Sequence, residues 1–341
     1  MKKWRLSILF CLLMCFCATS AQARVQNLGI HILHPAEITE AVELVKTEDN
    51  APQWVYVTLT LSLDDLEKKD EWQNAFKVMK DHNIIPIVRL VSRFDSERGV
   101  WAIPTRADIM SLFAFLRELQ WPSEHRYIIA FNEPNHFNEW GGERDPYSYA
   151  RVLDFVADWA HTENLNYQIL PAAMDLAANS GNETMEAFAY FEAMWLEYPQ
   201  VFDKIDYWNS HSYPNPAFSS DPSRTEKNSL RGFQHELNWL KEKNGREMHT
   251  FITETGWEDN SRTRGRLLNY YDRAFEQVWN DERVIAITPF VLRGDPGPFA
   301  GFSFLDRDGN PTRQYSAYHA QIEKNARSYR EWLESFEVSD F

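Results

Sequence analysis

Two glutamates sit where apolar runs stop. Tyr127-Ile128-Ile129-Ala130-Phe131 leads into Asn132-Glu133-Pro134-Asn135, and Thr250-Phe251-Ile252-Thr253 leads into Glu254-Thr255-Gly256-Trp257. Both runs have the β-branched and aromatic character of short buried strands. Carboxylates held at rigid strand ends can meet across one pocket, although they lie far apart in the chain. Such a pair supplies one nucleophile and one proton donor, which is what cleavage of a glycosidic bond with retention of configuration requires.

The positioning elements are readable as a repeated pattern. Strand-type runs occur at Leu28–Leu33, Trp54–Leu61, Ile84–Val91, Tyr127–Glu133, Gln168–Ala173, Ile205–Ser212, Thr250–Glu254 and Val284–Leu292. Between them lie amphipathic stretches. Trp72, Phe76 and Met79 recur at helical spacing, as do Tyr149, Val152, Phe155, Val156 and Trp159. Asp108–Leu119, Leu230–Lys243 and Arg266–Trp279 are further helical segments. Strand alternating with helix implies a parallel sheet. Eight such units, with no glycine cluster after the first strand to hold a phosphate, predict one closed (β/α)8 TIM barrel. In such a barrel the C-terminal strand ends line the active site. Glu133 ends the fourth strand and Glu254 the seventh. Retention needs carboxyl groups about 5–5.5 Å apart, and inversion about 6.5–9.5 Å.

These residues resemble the large clan of retaining (β/α)8 glycoside hydrolases, in which an Asn-Glu-Pro motif follows strand four and a nucleophilic Glu follows strand seven. The resemblance implies Glu133 as acid/base, Glu254 as nucleophile and Asn132 as the asparagine that binds the sugar 2-hydroxyl. The Glu-Thr-Gly-Trp string at Glu254 is similar to the nucleophile segment of several β-glucanase families. Trp208-Asn209-Ser210-His211-Ser212-Tyr213 carries a His-x-Tyr pair that in the clan lines the site, with the tyrosine hydroxyl on the nucleophile. Arg89 lies near the end of the third run, where a cation near Glu254 would favour its ionised form; the clan's arginine usually sits one strand earlier. Many clan members place a tryptophan at the end of strand eight. This chain has Pro289-Phe290-Val291-Leu292-Arg293 there, so Phe290, Leu292, Phe299 or Trp257 is expected to cover that surface.

Other residues are weighed by type. His31 and His34 flank the first strand end, where hydrogen bonding to sugar or to the site fits better than a metal without a third ligand. Trp140 and Trp101, in the loops after strands four and three, are expected subsite walls. Trp257 is expected to contact substrate. Asp306-Arg307-Asp308-Gly309-Asn310 opens like a calcium loop, but Ala317 stands where the bidentate glutamate belongs. The Asn182-Glu183-Thr184 sequon matters only in a glycosylating host. No metal or organic cofactor is called for.

Composition narrows the partners. Lys2, Lys3 and Arg5, the apolar Leu6–Ala18 run and Ala21-Gln22-Ala23 read as a secretory signal over 1–23, with one catalytic domain over 24–341. An uncleaved anchor would need a longer apolar run, and a lipoprotein would need a smaller residue than Met14 or Phe16 before Cys15 or Cys17. All three cysteines lie in this segment, so the remainder has no disulfide, thiol nucleophile or cysteine metal site. Without the signal, 32 basic face 50 acidic residues, a net charge of −18. That disfavours nucleic acid and anionic membranes as partners. Aromatic residues make up 14% of the chain, with 13 Trp, a supply of flat faces on which pyranose C–H groups stack. The expectation is a secreted or periplasmic monomer acting on a β-linked oligo- or polysaccharide. A transglycosylase on the same scaffold and a non-catalytic glycan-binding barrel are the alternatives.

Overall fold

The structure, a computed structural model, describes residues 27–47 and 54–337. The expected signal segment lies outside the described residues. Eight parallel strands form the barrel: β1 (Gly29–His31), β2 (Val55–Leu61), β3 (Ile84–Leu90), β4 (Arg126–Ala130), β5 (Tyr167–Pro171), β6 (Trp208–Ser210), β7 (Thr250–Ile252) and β8 (Val284–Ile287). Strands β1 to β5 pair in sequence order, and so do β6 to β8. Two bridges close the ring: Leu28 pairs with Ile287, and Asp175 pairs with His211 beyond β5 and β6. Each of the eight strand-type runs named above overlaps one of these strands, with β4 and β5 starting one residue earlier than expected, and the TIM-barrel expectation holds.

A helix follows each strand. In chain order these are α1 (Ile38–Val45), α2 (Lys69–Asp81), α3 (Arg106–Glu118), α4 (Pro146–Glu163), α5 (Ala187–Glu197), α6 (Val201–Lys204), α7 (Gly232–Asn244), α8 (Leu267–Gln277) and α9 (Arg313–Glu337). Helices α1, α5, α6 and α9 are not among the segments expected above. The α5 sequence AFAYFEAMWLE is apolar nearly all round, so it has no sharp stripe to announce it. Helix α3 starts earlier than expected because Thr105 caps it, its hydroxyl accepting from the Asp108 N–H. The Asp306–Asn310 turn is self-sufficient. Asp306 Oδ1 accepts from the N–H groups of Asp308 and Asn310, and Gly309 takes the left-handed φ of +84°.

Strand alternation sorts side chains into two compartments. Ile84, Val88 and Leu90 of β3 join the large core between strands and helices. Ile85 and Ile87 join a second core, with Tyr56, Tyr127, Ile129, Leu170, Phe251 and Ala286, which fills the barrel interior. Above it lies a layer of hydroxyls and amide. Thr58 and Thr288 are bonded at 2.8 Å, and Thr253 donates to Asn209 at 2.6 Å. Gly29 belongs to this crowded interior. A Cβ there would lie 2.3 Å from the Tyr56 carbonyl oxygen and 2.7 Å from a Thr288 methyl, so only glycine lets β1 and β2 approach. The barrel is thus plugged below and polar above, which confines charged groups to its C-terminal mouth.

Candidate active site

Arg89 follows Ile85 and Ile87 by the two-residue period, so it points into the mouth of the barrel. It is 8% exposed. Its Nη1 donates to Glu254 Oε1 and, at 2.8 Å, to Asn132 Oδ1. The arginine of β3 therefore ties the two motif segments together.

Neither glutamate lies within its strand. Glu133 stands three residues past β4 and Glu254 two past β7. The β4 ladder ends because Phe131 adopts a φ of +74° and Glu133 a φ of +27°. A bulky residue in the left-handed region costs on the order of 1–3 kcal/mol and persists only where packing enforces it. Phe131 is buried against Trp140, ring centroids 6.0 Å apart. The strained turn lets Asn132 and Glu133 both enter the mouth instead of alternating in and out.

The carboxylates meet there. One oxygen of Glu133, one oxygen of Glu254 and a ring nitrogen of His211 lie within 4.8 Å of one another. His211 Nδ1 is 2.7 Å from Glu133 Oε1 and 3.7 Å from Glu254 Oε2. Tyr213 donates its hydroxyl to Glu254 Oε2 at 3.1 Å. His31 Nδ1 lies 3.8 Å from Glu254 Oε1 and 3.2 Å from the Thr253 carbonyl oxygen. The structure brings together Glu133, Glu254, Asn132, His211, Tyr213, Arg89 and His31, whereas His34 is exposed on the loop beyond.

The two carboxyl groups differ in their surroundings. Burial alone would raise the Glu254 carboxyl, but the charges of His211 and Arg89 outweigh it and hold Glu254 well below the usual carboxylate range. His211 is lowered by burial and raised more by Glu254 and Glu133, for a net rise. Glu254 is thus an ionised group with both oxygens engaged. Among the described residues the Glu133 side chain hydrogen-bonds to His211 alone, and it is partly open to solvent. The trio could ligate a cation, but the Arg89 guanidinium, hydrogen-bonded to Glu254, opposes positive charge there.

His31 is fully buried, and burial, followed by the Arg89 charge, pushes its imidazole down to about 3. It is neutral in the fold, while the unfolded chain protonates it below 6.5. Its contribution to stability is therefore present above 6.5 and is lost as pH falls toward about 3. Urea melts at pH 7 and pH 5 check this. The stability gap between wild type and His31→Gln should shift against wild type by roughly 2 kcal/mol at the lower pH; a constant gap contradicts the buried neutral histidine.

Two expected binding residues require correction. Trp140 is fully buried between Phe131 and Tyr149, with its indole N–H on Ser148. Trp257 is likewise buried, against Tyr270, Tyr271 and Trp279, with its N–H on the Ser220 carbonyl. Neither leaves a face for a sugar; both anchor the segments that carry the glutamates. Trp257→Ala should cost about 3–5 kcal/mol in a denaturant melt and leave KM nearly unchanged in the folded fraction. At the end of β8, Leu292 is buried outside the mouth, whereas Phe290 packs edge-on against both His31 and the exposed Phe299. Trp101 sits half-buried in a hairpin beside the exposed Phe94.

One carboxyl here was not anticipated. Glu139 accepts from Asn132 Nδ2 at 3.3 Å. Burial, then the neighbouring Glu133 charge, pushes it up to about 7. No motif marks it; its place depends on the turn at Phe131.

No family model and no curated protein matches the sequence. Solved structures do. The GH39 enzyme from Xanthomonas axonopodis pv. citri superposes with a TM-score of 0.61 at 14% identity, over 87% of this chain and 66% of its own. A monomeric β-xylosidase from Caulobacter crescentus CB15 gives 0.59 at 16%, over 87% and 67%. An endo-β-1,4-glucanase from Xanthomonas axonopodis pv. citri gives 0.58 at 11%, over 88% of this chain and 100% of its own. These likenesses show the fold, a TIM barrel. The chain spans about two thirds of the length of the first two neighbours. Among the described residues no helix is long and apolar enough to cross a membrane.

Proposed function

We propose that this chain is a retaining glycoside hydrolase acting on β-linked oligo- or polysaccharides. The observation that carries the reading is the pair of carboxyl oxygens from Glu133 and Glu254 within 4.8 Å, near the separation of about 5–5.5 Å that goes with double displacement and short of the about 6.5–9.5 Å that goes with inversion. Glu254, ionised and oriented by Arg89 and Tyr213, attacks the anomeric carbon. Glu133 delivers a proton to the departing oxygen. After the aglycone leaves, Glu133 takes a proton from water, which releases the sugar from Glu254. Asn132 would hold the sugar 2-hydroxyl.

The substrate class rests on two lines of support. Exposed Phe94, Phe137 and Phe299, from loops beyond β3, β4 and β8, offer apolar surface beyond a single sugar. A β-xylosidase and an endo-β-1,4-glucanase are among the structural neighbours. Export as a monomer, with cleavage after Ala23, completes the proposal; the intact mass of the exported protein should start at Arg24. The function is tested by screening this protein against a panel of β-glycans, with Glu133→Gln and Glu254→Gln as controls. Turnover lost in both variants supports the reading, and turnover kept in both overturns it.

A further inference from the structure

Glu139 occupies a costly position. It is half-buried, close enough to Glu133 for like-charge repulsion, and six residues beyond it on the same loop. Other charged neighbours are His136 on that loop and Arg89 from β3. Its backbone is held firmly. The Glu139 N–H donates to the His136 carbonyl at 3.1 Å, Trp140 is locked into the core, and the Gly141 N–H reaches the Trp101 carbonyl at 2.6 Å.

Among the described residues the carboxylate has one directed contact, the Asn132 amide nitrogen. At the other end of that amide, Asn132 Oδ1 accepts from Arg89 Nη1. An amide has one donor end and one acceptor end. With an acid on one side and a guanidinium on the other, only one of its two orientations satisfies both. Glu139 uses one of the two amide hydrogens and leaves the second for a ligand.

We propose that Glu139 is a positioning residue that sets the Asn132 amide with its free N–H toward the sugar hydroxyl beside the reacting carbon. This rests on the glycosidase reading above. Hydrogen bonds at that hydroxyl strengthen in the transition state, so an amide free to turn over forfeits part of that gain. Without Glu139 only Arg89 orients the amide, which is then held less firmly with its N–H toward that hydroxyl.

A matched pair of aryl β-glycosides, with and without the 2-hydroxyl, tests it. Glu139→Ala should lower kcat/KM for the 2-hydroxyl substrate about tenfold, the equivalent of ~1.4 kcal/mol. It should leave the 2-deoxy substrate within about twofold of wild type. Glu139→Gln, whose side-chain carbonyl still accepts from Asn132, should recover most of the loss and serves as the folding control. Equal losses on both substrates, or none on either, overturn the proposal. If wild type hydrolyses neither glycoside nor any member of the glycan panel, the glycosidase reading itself fails, which is a separate result.

Discussion

Glu254→Gln is expected to lower kcat on an aryl β-glycoside by about 10⁴-fold or more, the scale seen when a nucleophile is removed from an enzyme. The substitution keeps the shape and leaves an oxygen for Arg89 and a partner for Tyr213, so the fold should survive. What disappears is the negative charge that those neighbours and His211 sustain against the cost of burial. A neutral amide cannot form the glycosyl ester. Kinetics paired with a thermal melt separate the outcomes: a folded variant that retains a tenth of the activity would remove Glu254 from the reaction.

Glu133→Ala should give the second-largest effect, and its size should depend on the leaving group. A sugar or alkyl alcohol departs poorly as an anion, so kcat/KM should fall by about 10²- to 10⁴-fold without the acid. A dinitrophenolate needs no proton, so bond cleavage should be nearly unimpaired. The second step still lacks its base, and the glycosyl-enzyme should accumulate as a burst of dinitrophenol followed by slow turnover. A uniform loss across leaving groups would contradict proton donation by Glu133.

The contrast between the two carboxyls comes from what each strand end faces. Glu254 follows β7 into contact with Arg89, Tyr213, His211 and His31, four side chains from three other strand ends. Glu133 enters over a strained turn and meets His211 alone at hydrogen-bonding distance among the described residues. One barrel thus gives Glu254 a stabilised charge and leaves Glu133 partly open to solvent.

The parts of this arrangement readable from sequence are those governed by short-range periodicity. The two-residue period of β3 places Arg89 inside the barrel, and apolar runs ending at Glu133 and Glu254 mark two strand ends of the mouth. Loop aromatics are not readable in this way. Trp140 and Trp257 have the neighbours of ligand-binding residues, yet burial of so large a ring is worth more in the core. Their side chains turn inward because the adjacent loops close over Tyr149 and Tyr271. Glu139 is hidden for a related reason: its approach to Asn132 is set by positive φ at Phe131, which no residue type at that position signals.

Attack by Glu254 on the anomeric carbon would fix the stereochemistry of the first product. Proton NMR recorded during the first minutes of hydrolysis of a β-glycoside should reveal the β-anomer of the released sugar, with the α-anomer appearing only later by mutarotation. An α-anomer formed first would mean that water, not Glu254, attacks the anomeric carbon, and would contradict the account.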